Sequence, residues 1–128
     1  MMIGWMGLLL AAGPLWAGSR VLEVKAEQAR TLGRERAGKG DFATLDVRTP
    51  QEFAEGHLAG AVNLDVQAPN FEKRLAGLDK GKTYLVYCRT GNRSRHAIQA
   101  MERMGFGAIY HMYEGVVGWQ LNGYALTK

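Results

Sequence analysis

The segment TYLVYC, residues 83–88, constrains the fold more than any other part of the chain, because it is apolar at nearly every position. A strand with one face in water alternates polar and apolar residues, whereas a strand without that alternation is covered on both faces. Residues 94–105, which follow, have a helical period that places Ala97, Ile98, Met101 and Met104 on one stripe. A buried strand leading directly into a helix is typical of a parallel sheet in an α/β protein.

The rest of the chain from residue 21 repeats this alternation of short strands and helices. Further strands are predicted for VLEV, DFATLDV, AVNLD and AIYHM, at residues 21–24, 41–47, 61–65 and 108–112. Further helices are predicted at residues 26–36, 49–56, 70–78 and 115–123. Together these segments predict three layers, a parallel sheet with helices on both faces, in one domain over residues 20–128.

The helix predicted from residue 49 has the clearest start. Thr49 stands at the N-cap, Pro50 occupies the first helical position, and Glu52 completes a capping box with Thr49. Gly56 is the predicted stop, because glycine favours the end of a helix.

The first nineteen residues contain no charged side chain. An apolar run followed by Pro14 and the small residues Ala17, Gly18 and Ser19 predicts a secretory signal peptide over residues 1–19, cleaved after Ala17 or Ser19. The expected location is therefore periplasmic or secreted. The alternative is an uncleaved membrane anchor, because the run is near the length that spans a bilayer.

The net charge of the chain and the distribution of its charged residues limit the kinds of molecule that it is expected to bind. The formal net charge is +4, which favours anionic partners. Acidic and basic residues mostly alternate, and no basic strip interleaved with aromatic residues is present, so nucleic-acid binding is not expected. The predicted state is a monomer that acts on small anionic molecules.

Cys88 is the only cysteine, so no disulfide forms within the chain. It is either a small buried hydrophobic residue or a reactive group. Its place at the end of the most apolar strand favours reactivity, because ligands of such sheets bind beyond the carboxyl ends of the strands. A loop that curls at Gly91 directs N–H groups to one point, and these groups with Arg89 and Arg93 favour a thiolate.

Three separated motifs resemble those of the rhodanese (sulfurtransferase) family. CRTGNRS, residues 88–94, is similar to the active-site loop of that family, a cysteine followed by a glycine-containing loop that ends in arginine. LDVRTPQEFAEGHLAGAVNLD, residues 45–65, resembles its upstream signature, and YEGVVGWQLNGYAL, residues 113–126, resembles its last helix and turn. The resemblance covers the chain from residue 21 to the end, in the order of the family.

This resemblance implies a rhodanese domain with a parallel five-stranded sheet. It implies that Cys88 takes the outer sulfur of a donor such as thiosulfate as a persulfide and passes it to a thiophilic acceptor, such as cyanide, a small thiol or a protein thiol. It places the donor site on the loop residues Arg89, Thr90, Gly91, Asn92, Arg93 and Ser94. No metal and no organic cofactor is expected.

Two alternatives to sulfur transfer from thiosulfate remain. Phosphatases that share the fold have five residues between cysteine and arginine, whereas four separate Cys88 from Arg93 here, and they carry histidine where this chain has Tyr87. The shorter loop favours sulfur. Other rhodanese-like domains are non-catalytic binding modules or relay sulfur to a partner protein. The non-catalytic modules typically lack the cysteine or the positive charge of the loop, and this chain keeps both.

Other polar residues near the motifs have expected structural roles. Arg48 is expected to pair with Glu52 or another acid, and Asp46 to accept backbone N–H bonds. His57 is expected to be a hydrogen-bonded structural histidine and His96 a solvated one. The three histidines, with His111 near a different strand, have no metal-ligand spacing.

The last motif departs from the family pattern at two positions. Glu114 and Gly115 stand where the family usually has two glycines, and Ala125 replaces a common proline. The departures affect a turn remote in sequence from the loop.

Overall fold

The computed structural model describes residues 20–128, so the predicted signal peptide at residues 1–19 lies outside the described residues. Strands and helices alternate throughout the described part. They are β1 (Arg20–Val24), α1 (Ala26–Arg36), β2 (Phe42–Asp46), α2 (Pro50–Glu55), β3 (Val62–Asn63), α3 (Phe71–Ala76), β4 (Thr83–Tyr87), α4 (Asn92–Arg103), β5 (Ala108–Met112) and α5 (Gly115–Leu121). Between residues 20 and 128, no helix is long and apolar enough to cross a membrane.

The five strands form one parallel sheet in the order β1-β5-β4-β2-β3. The apolar strand β4 lies at its centre, which confirms the prediction made from its unbroken run of apolar residues. Leu45 of β2 pairs with Val86 of β4, and Val86 pairs with His111 of β5. The strand predicted at residues 61–65 is shorter, Val62–Asn63, because β3 is an edge strand that pairs with β2 alone.

Each face of the sheet has its own apolar core, as two layers of helices require. One core joins the sheet to α3 and α4, and it includes Phe71, Leu75, Tyr84, Met101 and Phe106. The other joins the sheet to α1 and α5, and it includes Ala26, Ala29, Leu85, Tyr87, Met112 and Trp119. The predicted stripe of α4 faces the first core, with Ala97, Ile98 and Met101 buried and Met104 partly buried.

The first residues of helices α2 and α4 lie near the carboxyl end of the sheet. The capping box of α2 is present as predicted, because the N–H of Glu52 donates to the Thr49 side chain and the Glu52 carboxylate accepts from the Thr49 N–H. Helix α4 begins at Asn92, two residues earlier than predicted. Gly91 is its N-cap residue in the left-handed conformation, so Ser94 lies inside the first turn and is not the cap.

Candidate functional site

The thiol of Cys88 lies just beyond the carboxyl end of β4, at the start of the loop that leads into α4. Only 1% of the residue is exposed. The N–H of Gly91 donates to Sγ at 3.1 Å, and the hydroxyl of Ser94 lies 3.3 Å from the same sulfur. The predicted curl of the loop is therefore present, and it is directed at the sulfur atom.

Gly91 allows this curl for two reasons. Its φ of 105° lies in the left-handed region that side chains disfavour. A Cβ at this position would lie 2.5 Å from the carbonyl oxygen of Tyr113, so there is no space for a side chain. The sequence-based prediction that Gly91 forms the tight turn is confirmed.

The first residues of α5 form hydrogen bonds with the loop that carries Cys88. The N–H of Val116 donates to the Cys88 carbonyl at 3.0 Å, and the N–H of Val117 donates to the Arg89 carbonyl at 3.2 Å. Gly115 has a φ of 65°, and a Cβ there would overlap the Arg89 carbonyl oxygen and lie 2.7 Å from that of Cys88. The turn that is remote from the loop in sequence is thus in contact with it in space.

The surroundings of Cys88 lower the pKa of its thiol. Burial raises this pKa, but hydrogen bonds from the side chain of Ser94 and from the N–H groups of Ser94, Gly91 and Thr90 outweigh burial. These donors stabilise a negative charge on sulfur, and the charge of Arg93 also interacts with that of Cys88. The loop can therefore hold a thiolate or another anionic sulfur group.

Arg93 is already engaged in an ion pair. Its guanidinium makes a two-pronged contact with Glu52, at 2.6 Å and 2.9 Å. This contact is the first cause of a Glu52 pKa near 2, and it also raises the pKa of Arg93. The pair connects α2 to α4 and places Arg93 beside the loop, with its charge shared with a carboxylate.

The remaining loop residues lie around the mouth of the site. Arg89, Thr90 and Asn92 are exposed, whereas Gly91 and Ser94 are buried. Arg89 lines a cavity of about 220 Å³ together with Arg48, Glu52, Glu55, Gly56, Val116, Gln120 and Leu126. Within residues 20–128, Arg89 has no ion-pair partner. It is the loop cation whose charge remains available to an incoming anion.

Asp46 and Arg48 form a buried ion pair on the α1 and α5 side of the sheet. Nη2 of Arg48 lies 2.7 Å from Oδ2 of Asp46, and Tyr87 donates its hydroxyl to the same oxygen at 2.6 Å. Asp46 also accepts the Arg48 N–H. The predicted roles are confirmed, with Asp46 and not Glu52 as the partner of Arg48. Burial, and then the charge of Asp46, raise the pKa of the Tyr87 hydroxyl, so it stays protonated.

The three histidines have different environments. Nδ1 of His57 lies 2.9 Å from the Phe53 carbonyl and its ring stacks on that of Phe53, so its structural role is confirmed. His96 is exposed, as predicted. His111 is buried, and its Nε2 lies 2.7 Å from the Ser94 hydroxyl. In the described part of the chain, no cluster of three or more His, Cys, Asp or Glu side chains is placed to hold a metal.

His111 is the site residue that sequence reasoning missed. Its strand, AIYHM, has one histidine among apolar residues. A polar residue at a buried strand position needs a hydrogen-bond partner, and this was the signal available in the sequence. Its relevance to Cys88 depends on β5 lying next to β4, and sequence order alone does not specify which strands are neighbours.

A larger cavity, of about 720 Å³, lies apart from the thiol. It is bounded by α1, by the end of α5 and by the last residues of the chain, and its lining includes Ala29, Arg30, Leu58, Trp119, Tyr124 and Leu126. Cys88 does not line it. The loop around Cys88, and not this cavity, is therefore the candidate site.

The fold and the site define a class of protein: a small α/β domain with a potential cysteine nucleophile, held by loop N–H groups at the end of the central strand. The chain belongs to the Rhodanese-like domain family, which matches residues 30–122. The resemblance noted from the three motifs is confirmed.

Relatives of the chain include proteins named as sulfurtransferases. A sulfurtransferase of Allochromatium vinosum is 27% identical over 95 residues, which cover 74% of this chain and 87% of that protein. The thiosulfate sulfurtransferase 16, chloroplastic, of Arabidopsis thaliana is 31% identical over 93 residues, covering 62% of this chain and 74% of that protein. Some other curated relatives are longer, and this chain spans between 20% and 46% of their length.

A solved structure shows the same fold. A rhodanese-related protein from Thermoplasma volcanium matches with a TM-score of 0.67 and 23% identity, covering 83% of this chain and 97% of that one. The parallel five-stranded sheet with helices on both faces is therefore the rhodanese-like architecture, as predicted.

Proposed function

We propose that this chain is a sulfurtransferase that takes sulfane sulfur from thiosulfate, or a similar anionic donor, as a persulfide on Cys88. One observation carries the proposal: the sulfur atom lies in a cradle formed by the Gly91 N–H and the Ser94 hydroxyl. A persulfide, like a thiolate, is an anion at neutral pH, with its charge on the outer sulfur one bond beyond Sγ. Donors that converge on this part of the loop therefore favour an anionic sulfur in both the free and the loaded enzyme.

The proposed cycle has two displacements. The Cys88 thiolate attacks the outer sulfur of thiosulfate, the S–S bond of the donor breaks, and sulfite leaves with the electron pair of that bond. Cyanide or a thiolate then attacks the outer sulfur of the persulfide. The Cys88 thiolate is released, with thiocyanate or a new persulfide as the product.

Charge and access favour a small anionic donor. Arg89 is exposed at the mouth of the loop and is free of an ion pair among the described residues. A thiosulfate dianion can therefore form charge-assisted contacts with it. Because Cys88 is almost fully buried, a compact donor reaches its sulfur more readily than a bulky one.

The pair between Arg93 and Glu52 supports sulfur transfer over phosphoryl transfer. A phosphate ester needs concentrated positive charge around its oxygens. Here the two-pronged contact with Glu52 neutralises much of the charge of Arg93. Arg93 stays in the proposed donor site at the edge of the loop, with Arg89 as the main cation.

The test is thiocyanate production from thiosulfate and cyanide. Cys88→Ser should abolish turnover. Arg89→Ala should raise KM for thiosulfate about tenfold with a smaller change in kcat, because it removes one charge-assisted contact. Arg103→Ala is the matched control, since Arg103 is an exposed arginine at the far end of α4. Cys88-dependent hydrolysis of an aryl phosphate, without thiocyanate formation, would overturn the proposal.

We also propose that the domain acts after export, with residues 1–19 as a cleaved signal peptide. The support is the absence of charge in those residues and the small residues at their end. The protein purified from its native host should have a mass that lacks the residues up to Ala17 or Ser19. An intact mass that includes residue 1, with the protein retained in membranes at high salt, would indicate an anchor.

A further inference from the structure

A chain of hydrogen bonds leads from the thiol of Cys88 to the protein surface. Sγ lies 3.3 Å from the Ser94 hydroxyl, which lies 2.7 Å from Nε2 of His111. Nδ1 of His111 lies 3.0 Å from a carboxylate oxygen of Glu23. The first three residues are at most 1% exposed, whereas the Glu23 side chain is 53% exposed. The chain thus joins a buried sulfur to a solvated carboxylate.

Strand register explains why these residues meet. Glu23 of β1 pairs with His111 of β5, and Val86 of β4 pairs with His111 on its other side. Side chains alternate along a strand, so Cys88 points to the same face as Val86 two residues earlier. Glu23, His111 and Cys88 therefore share the face that α4 covers, and Ser94 in the first turn of α4 connects the last two.

The partners of His111 determine which of its nitrogens carries the proton. A carboxylate only accepts hydrogen bonds, so Nδ1–H donates to Glu23 and Nε2 of the neutral ring is an acceptor. The Ser94 hydroxyl can then donate to Nε2. The Ser94 hydroxyl also lies 3.0 Å from the Gly91 carbonyl oxygen. That oxygen accepts the Arg95 N–H at 3.1 Å as well, so it keeps a hydrogen-bond partner when Ser94 donates to His111.

The surroundings of His111 favour its neutral form while Cys88 is still a thiol. Burial lowers its pKa below the ordinary value, Glu23 on β1 opposes that shift, and Arg95 on α4 adds to it. Cys88 lies beyond Ser94, at the opposite end of the hydrogen-bond chain from Glu23. A neutral imidazole with a free Nε2 lone pair is ready to accept a proton.

We propose that Cys88 is deprotonated through Ser94 by His111, with Glu23 holding the imidazole in the accepting tautomer. The S–H proton passes to the Ser94 oxygen while the Ser94 hydroxyl proton passes to Nε2. The products are a thiolate, an intact hydroxyl that now donates to it, and an imidazolium beside Glu23, so no further reactant is needed. His111 and Glu23 do not contact the reacting sulfur, and both are positioning residues. The inference rests on the proposed function only in that the thiolate is the group that accepts sulfur.

The test is the pH dependence of Cys88 alkylation by iodoacetamide in the full chain, because this rate follows the thiolate population and needs no sulfur donor. His111→Gln should react about tenfold more slowly at pH 7, with an apparent pKa about one unit higher. Its rate should converge with that of the wild type at alkaline pH, where the thiol ionises without a base. A loss of packing would instead change the rate at every pH.

Glu23→Gln tests the outer end of the relay without altering the core. The amide oxygen still accepts Nδ1–H but carries no charge, so the imidazolium is less stable and alkylation at pH 7 should slow about threefold. The control is His96→Gln, which replaces an exposed histidine on α4 and should match the wild type.

Two results would overturn the relay: alkylation profiles of His111→Gln and the wild type that superimpose, or a rate reduction in His111→Gln that is constant with pH. The proposed function is tested separately by sulfur uptake from thiosulfate. A shifted alkylation profile in His111→Gln, with no sulfur uptake by the wild type, supports the relay and removes thiosulfate as the donor.

Discussion

Substituting Gly115 with alanine tests whether the start of α5 holds the active loop in place. A Cβ at this position would overlap the carbonyl oxygen of Arg89 and lie 2.5 Å from its carbonyl carbon. Both groups are backbone, so they cannot rotate away as a flexible side chain would. The N–H groups of Val116 and Val117 hold the loop carbonyls at this point, and either the loop or α5 must shift.

The expected loss of stability in Gly115→Ala has two contributions. Placing alanine at a φ of 65° costs about 1–2 kcal/mol, because Cβ crowds its own carbonyl in the left-handed region. Forcing a methyl group against packed backbone costs about 1–3 kcal/mol more. Gly115→Ala should therefore lower the free energy of unfolding by about 2–5 kcal/mol.

Gly123→Ala is the matched control. Gly123 has a similar φ of 80°, but a Cβ there would have no atom within 4 Å. Urea unfolding of both variants separates backbone strain from overlap, since Gly123→Ala should lose only about 1–2 kcal/mol. Equal destabilisation of the two variants would refute the contact between α5 and the loop.

Two further predictions concern the ion pair and the buried tyrosine. The Glu52 pKa near 2 lies below the ordinary 4.5, so its pair with Arg93 stabilises the fold above pH 4.5 and the stabilisation is lost as pH falls toward 2. Glu52→Gln should remove that part of the acid sensitivity in urea unfolding between pH 5 and 2, whereas an unchanged slope would contradict the pair. Tyr87→Phe leaves an oxygen of Asp46 and the Leu58 N–H without the Tyr87 hydroxyl and should cost about 1–3 kcal/mol, measured in the same way. A cost below about 0.5 kcal/mol would mean that water replaces the hydroxyl.

Local patterns predicted the fold well. The unbroken apolar run at residues 83–88 indicated a strand covered on both faces, and β4 is the central strand. Thr49, Pro50 and Glu52 predicted the start of α2 because a capping box involves only residues three apart. Cys88 and Gly91 were predicted for the same reason, since the curl of the loop is a property of a few consecutive residues.

Contacts between distant residues could not be predicted in this way. Arg93 and Glu52 are 41 positions apart, and their pairing depends on how α2 and α4 meet. His111 reaches Ser94 because β5 lies beside β4, which strand order along the chain does not specify. Gly115 lies against the loop only once α5 has packed on the sheet.

The central claim is that Cys88 accepts sulfur, and an intact mass before and after incubation with thiosulfate tests it most directly. The wild type should gain the mass of one sulfur atom and lose it again when cyanide is added, with thiocyanate released. Cys88→Ala should gain nothing. A wild type whose thiol is shown to be free beforehand, and whose mass is unchanged by thiosulfate, would contradict the account.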